Sequence, residues 1–168
     1  MNRRRSSLVL AAAAALALGL TGCSGINSMM GGETRDDSSG EIVEGGTTDV
    51  FQLRVGDCLN DELSETATEV TDVPTVPCTD EHSYEVFQNI TMAEADEYPG
   101  ETDTVAQADS ECQTAFESFV GLSYEESQYE FSYYYPTEES WGSGDRVINC
   151  LITDPAGLST GSLAGAAA

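Results

Sequence analysis

The chain predicts an α+β domain, a small and mainly antiparallel sheet packed with one main helix and held by two disulfides. Three observations predict it. Over residues 103–120, Val105, Ala108, Cys112, Ala115, Phe116 and Phe119 recur three or four apart, the spacing of one helical face. On either side of that stretch, shorter segments alternate apolar and polar residues with the period of a half-buried strand. Beyond an export leader, four cysteines remain, Cys58, Cys78, Cys112 and Cys150, and an exported chain leaves cytosolic reductants behind.

The leader occupies residues 1–22. Arg3, Arg4 and Arg5 precede an uncharged, alanine- and leucine-rich run over 8–20, too short to span a bilayer comfortably. It closes on Leu20-Thr21-Gly22-Cys23, where small residues ahead of a cysteine suit cleavage and lipidation. Cys23 is thus expected to become the N-terminus, carrying diacylglyceride and palmitate. Each buried methylene contributes about 0.8 kcal/mol, so two or more chains hold a protein stably on the membrane, here the extracytoplasmic face of the cell membrane. Arg4-Arg5 lacks the bulky apolar pair of a twin-arginine signal, because Ser6 and Ser7 follow it.

Residues 23–48 read as a lipidated start and a flexible acidic Gly/Ser linker, with too few large apolar side chains to offset the entropy of ordering. The folded domain is expected over 49–153. Phe51-Gln52-Leu53-Arg54 alternates and leads into Val55-Gly56-Asp57-Cys58, and Tyr84, Val86, Gln88 and Ile90 are expected on one face of a later strand. Thr102 or Asp103 can cap the helix and Gly121 can end it. Tyr129, Phe131, Tyr133 and Tyr135 then alternate with Glu130, Ser132 and Tyr134 up to Pro136. A turn over 141–145 precedes a last strand over 146–153, and residues 154–168 read as a disordered tail. Four thiols allow three pairings. Chain order and this layout favour Cys58 with Cys78 and Cys112 with Cys150, each bridge contributing about 2–4 kcal/mol.

The formal charge is −24, and the chain contains no lysine. Loss of residues 1–22 removes three of the six arginines and none of the thirty acids, leaving Arg35, Arg54 and Arg146. Such a surface repels nucleic acid and anionic headgroups and attracts cationic segments, so the expected partners are the membrane through the lipid, and an envelope protein or glycan, including a basic protein segment. Solubility in a polyanionic envelope explains the same charge without a partner.

No cofactor, metal or catalytic residue is expected. His82 is the only histidine, and Cys78-x3-His82 supplies two ligands of the four a zinc site needs while the cysteines are committed to disulfides. His82 is better suited to ordering the Cys78 turn near Glu85, with a pH-sensitive contact as its functional counterpart. Gly142-Ser143-Gly144 lacks the spacing of a nucleophile elbow. A pair of carboxylates cleaving glycans is the enzymatic alternative, and a structural acidic surface protein without a discrete ligand is another. For binding, Trp141 and Tyr134, outside the inward face of the tyrosine strand, join His82 as candidates, since amphipathic rings suit sugar or peptide contacts.

With these pieces placed, the chain resembles the septum-formation domain family of membrane-attached extracytoplasmic proteins in high-GC Gram-positive bacteria. The resemblance is carried by Val55-Gly56-Asp57-Cys58-Leu59, by Val76-Pro77-Cys78 leading to His82 and Glu85-Val86-Phe87, and by Tyr98-Pro99-Gly100. Cys112 with Phe116, Tyr135-Pro136-Thr137, Trp141 and Gly144 through Cys150 continue it, covering most of residues 53–152. Glu81 stands where the family often has proline, and a lipid replaces the transmembrane helix of many members. The resemblance implies a role in the cell envelope around division and transfers no catalytic residues.

Overall fold

The computed structural model describes residues 31–61 and 70–168. Cys23 and the leader lie outside them. Strands β1 (Thr34–Arg35) and β2 (Ile42–Glu44) form a two-stranded hairpin. Strands β3 (Gly46–Asp49), β4 (Cys58–Leu59), β5 (Asp72–Val76), β6 (Tyr84–Thr91), β7 (Glu130–Tyr134) and β8 (Val147–Thr153) build a six-stranded sheet in the order β3-β5-β4-β6-β8-β7. Every pairing in it is antiparallel. Helix α1 (Glu101–Val120) crosses one face, and a short helix α2 (Glu138–Gly142) links β7 to β8. The α+β architecture with one main helix is therefore the observed one.

Both faces of the sheet are covered. Ala108, Cys112, Phe116 and Val120 of α1 press on Phe87, Ile90, Ile148 and Ile152, and each of these eight is buried. Val50, Leu53, Leu59, Val73, Val86, Leu151 and Tyr134 make a second cluster on the other side. The disulfide Cys112–Cys150 ties helix to central strand inside the first cluster, and Cys58–Cys78 closes the turn between β5 and β6 onto β4.

The expected single face of Tyr84, Val86, Gln88 and Ile90 is not what forms. A bulge between Val86 and Gln88 inserts Phe87 against β8, and one extra residue reverses the alternation. Val86 consequently faces the second cluster while Phe87 and Ile90 face the helix.

The proposed flexible linker is ordered from residue 31 onward. Its glycines permit close backbone approach rather than freedom: a Cβ on Gly46 would lie 2.4 Å from the Gly32 carbonyl carbon. Thr48 buries its hydroxyl 2.7 Å from that of Thr75, and Arg35 binds Asp57. The expected alternation at 51–54 gives way to a 3-10 turn over Val50–Gln52, where the Asp49 carboxylate accepts from the Phe51 N–H at 2.9 Å.

Helix α1 starts two residues before Asp103, behind Gly100 at φ 98° with no side-chain cap, and Glu101 and Asp103 sit in its positive first turn. Gly121, left-handed at φ 90°, ends it as expected. The segment after Pro136 is α2 rather than open loop, because Thr137 and Ser140 satisfy each other's backbone in a capping box.

The tail expected to be disordered is instead laid along the fold. Ser159 pairs with His82 through both backbone bonds, at 3.0 and 2.9 Å, and the Gly161 N–H reaches the Cys78 carbonyl at 2.6 Å. Gly165 and Ala167 donate to the Phe119 and Val120 carbonyls, which the end of α1 leaves without intrahelical donors. Leu163 is buried in the first cluster. These partners are backbone groups, so small side chains do not prevent the docking.

Candidate functional site

The three binding candidates are all buried and lie in different places. Tyr134 is 8% exposed in the second cluster, whereas Trp141 is 4% exposed in the first, so they stand on opposite faces of the sheet and form no common pocket. His82, 1% exposed, bonds through Nδ1 to the Asp80 carbonyl at 2.9 Å, and that contact makes Nδ1 the protonated nitrogen. Its Nε2 is buried and has no hydrogen-bond partner among the described residues.

The tyrosine run is tied to acids. Tyr133 donates to Asp109 at 2.7 Å, Tyr134 to Asp61 at 2.5 Å and Tyr135 to Glu101 at 3.2 Å. Burial, then in each case the adjacent carboxylate, pushes all three phenols up from their ordinary range. Sequence reasoning treated these tyrosines as core or as recognition surface and missed Asp61, Asp109 and Glu101 as their acceptors. The helical phase over 103–120 was the available signal for Asp109, whereas Glu101 precedes the expected start of that helix.

Trp141 carries a cation on its ring. The Arg146 guanidinium carbon lies 3.6 Å from the ring centroid, and Tyr98 packs on the same indole at 5.7 Å. Arg146 Nη1 donates to the Trp141 and Asp145 carbonyls at 2.8 and 2.6 Å, and Nη2 to Ala95 at 3.3 Å. A polar hollow of about 420 Å³ adjoins this group, lined by Glu94, Ala95, Asp96, Trp141, Gly142 and Arg146. With Nη1 and Nη2 on carbonyls and Nε 3.6 Å from the Glu94 carboxylate, Arg146 pins the chain after β6 to the turn before β8. The Trp141 Nε1–H is buried and has no acceptor among the described residues.

Glu85, expected near the His82 turn, is a buried acid whose partners lie in the tail. On β6 and 2% exposed, it accepts from the Ser162 hydroxyl at 2.6 Å and the Leu163 N–H at 2.7 Å, so its charge is met by the tail. Among the described residues, no cluster of three or more histidine, cysteine or acidic side chains could hold a metal, and no helix is long and apolar enough to cross a membrane.

An open groove of about 510 Å³ with an apolar floor lies between α1 and β6. Phe87, Ile90, Ala115 and Phe119 line it, with Gln88 on the strand side and Glu111, Thr114 and Ser118 on the helix side. It runs beside a strand whose outer neighbour is short. β6 spans eight residues, but β4 pairs only with Tyr84 and Glu85. The next contact on that side joins Val86 to Gly56 and Asp57, through Gly56 N–H to Val86 O and Val86 N–H to Asp57 O, both 2.8 Å.

No curated protein and no solved structure matches the chain. The model of one family does, over residues 25–153, more than half of the chain and including the hairpin, both disulfides, the groove and the tyrosine strand. The chain belongs to the Septum formation family.

Proposed function

We propose that this protein is a lipoprotein, fastened through Cys23 to the extracytoplasmic face of the cell membrane, and that its domain acts in septum-associated envelope processes by binding rather than by catalysis. The family ties the chain to septum formation. Binding is supported chiefly by the groove between α1 and β6, an open apolar floor on an otherwise acidic domain. The acids most closely engaged, Asp57, Asp61, Glu85, Asp109 and Glu101, are hydrogen-bonded to arginine, tyrosine or tail groups, which is structural employment rather than the arrangement of a glycan-cleaving pair. If the lipid sits on Cys23, the eight residue steps to Gly31 reach at most about 29 Å, at about 3.6 Å each. The domain then works close to the membrane.

The test is a fluorescent fusion in dividing native cells, with Cys23→Ala alongside, together with membrane fractionation and lipid labelling. Membrane retention, lipid incorporation and enrichment at septa are expected, and Cys23→Ala abolishes the first two. A soluble wild-type protein, or release of muropeptides from envelope by the purified domain, would refute the reading.

A further inference from the structure

We infer that the groove beside β6 takes an extended, basic segment of a partner protein, which adds to the sheet as a strand along residues 88–91. This deepens the reading of the domain as a binding module and rests on it.

The ladder shows which backbone groups are available. Val86 directs its N–H and C=O away from β8, toward Asp57 and Gly56, whereas the Met92 N–H turns inward to the Arg146 carbonyl at 2.7 Å. Between them, Ile90 pairs with Ile148, and Asn89 and Thr91 stand opposite Asn149 and Val147. Alternation in an antiparallel ladder therefore directs the N–H and C=O of Asn89 and Thr91 outward, on the side that β4 does not reach; there the Asn89 side chain holds the Leu53 carbonyl at 2.8 Å, and among the described residues no strand pairs with the two backbones. The Gln88 side chain bonds the Asn89 carbonyl at 3.4 Å, a long contact between adjacent residues that an incoming N–H replaces.

Natural edges are usually blunted by lysine, inward charges or proline. Gln88, Asn89, Ile90 and Thr91 include none of these, and the bulge of β6 lies before them. One face of the added strand would lie over Phe87, Ile90, Ala115 and Phe119, so alternate side chains of the partner must be apolar. The charge of the occupant follows from the rim. Glu111 lines the groove from an exposed position on α1, whereas Glu94, beyond the end of β6, faces Arg146 at 3.6 Å and lines the hollow beside Trp141 instead. An acidic partner would meet a chain of net charge −24, whereas a basic one is steered toward it.

The experiment uses the mature chain and a short peptide of alternating arginine and valine. Its counterparts alternate glutamate with valine, or keep the arginines and carry proline at alternate positions. Calorimetry gives affinity and hydrogen exchange reads the amides. Thr91→Pro removes one outward N–H without breaking a bond to β8, and Glu111→Arg reverses the rim charge on an exposed helical position. The arginine–valine peptide is expected to bind and to protect the Asn89 and Thr91 amides. Each variant, shown folded by its melting curve, is expected to weaken binding about tenfold, the equivalent of about one hydrogen bond. No binding of that peptide, equal binding of the proline-bearing peptide, unchanged affinity in both variants or protection elsewhere would each overturn the inference. If the fusion reaches septa while the peptide fails, only the groove assignment falls. If the peptide binds while the protein is neither membrane-held nor septal, the broader reading falls instead.

Discussion

Arg35 and Asp57, 22 residues apart in the chain, meet in a two-pronged ion pair, with Nη1 to Oδ1 at 2.6 Å and Nη2 to Oδ2 at 2.8 Å. Asp57 is 3% exposed and directly precedes the disulfide-bonded Cys58, so the pair fastens the leading hairpin to the root of the main sheet. Arg35 also holds Glu33 at 2.9 Å. Arg35→Ala leaves a buried carboxylate with the Arg54 N–H, at 2.8 Å, as its remaining described donor. A loss of about 3 kcal/mol in urea unfolding is expected, the low end for breaking a buried pair from one side because that donor stays. A change within experimental scatter would show the hairpin to be an independent appendage.

The turn of that hairpin makes its stability dependent on pH. Asp36 is pushed down to about 2, first by the Ser38 hydroxyl and then by the Ser39 and Ser38 backbone N–H groups. A carboxylate lowered on folding contributes stability that is fully present above its unfolded value, 3.8, and is lost as pH falls through about 2. Glu33 acts in the same direction. Burial raises it, but its own backbone N–H, Arg35 and Thr48 together bring it lower. Asp36→Asn is therefore expected to flatten the fall in melting temperature between about pH 4 and 2 relative to the native chain. Parallel acid limbs would remove Asp36 from the account.

The parts of this fold that were legible depended on side chains, and those that were not depended on backbone. Ala108, Cys112 and Phe116 announce α1 through their spacing, and Cys150 on the last strand is within reach of that face. The bulge at Phe87 leaves no mark in composition, yet it moves Ile90 to the opposite face from the one alternation assigns. Gly46 reads as a flexible spacer, although its missing Cβ is what admits Gly32. The candidate site fared similarly. Aromatic character drew attention to Tyr134 and Trp141, but Asp61, the acceptor of Tyr134, lies 73 residues away, and Arg146, five residues after Trp141, reaches the indole only because the intervening turn folds it back. The groove depends on how far β4 extends, and two residues of pairing cannot be read from alternation.

Truncation after Thr153 tests the docked tail. It would strip Glu85 of the Ser162 and Leu163 donors, and the last turn of α1 of Gly165 and Ala167. Leu163 alone contributes about 1.5–3 kcal/mol by burial, and an orphaned buried carboxylate costs about 1–3 kcal/mol or more. The shortened chain is expected to melt well below the full one, and Glu85→Gln in the full chain is expected to fall between them. Equal melting of full and shortened chains would return the tail to the disordered state its composition suggests.

The two disulfides should differ in accessibility. Cys112 and Cys150 are both fully buried, whereas Cys78, joined to buried Cys58, is half-buried. Mild thiol under native conditions is expected to open Cys58–Cys78 first, with Cys112–Cys150 following only on unfolding. Alkylation and peptide mass mapping reads the order. In stability the ranking reverses for a different reason. The bridges close 38 and 20 residues of chain respectively, so loop entropy makes Cys112–Cys150 worth about 0.6 kcal/mol more. Simultaneous reduction of both bridges would mean that the fold opens globally before either is attacked.

Charge supplies the last prediction. At a formal −24 the folded chain concentrates like charges, and their repulsion weakens as the Debye length falls from about 8 Å at physiological salt to about 3 Å at 1 M. The arginine pairs act in the opposite direction, since salt also screens attraction. Arg35 and Asp57, however, are 13% and 3% exposed in their side chains and are shielded less by ions than surface acids are. Repulsion therefore dominates the salt response, and the melting temperature is expected to rise with added sodium chloride. Chloride is preferred to sulfate because sulfate strengthens apolar burial by a separate route. A melting temperature flat across that range would mean that the carboxylates are spaced or partnered well enough for net charge to carry little energetic weight.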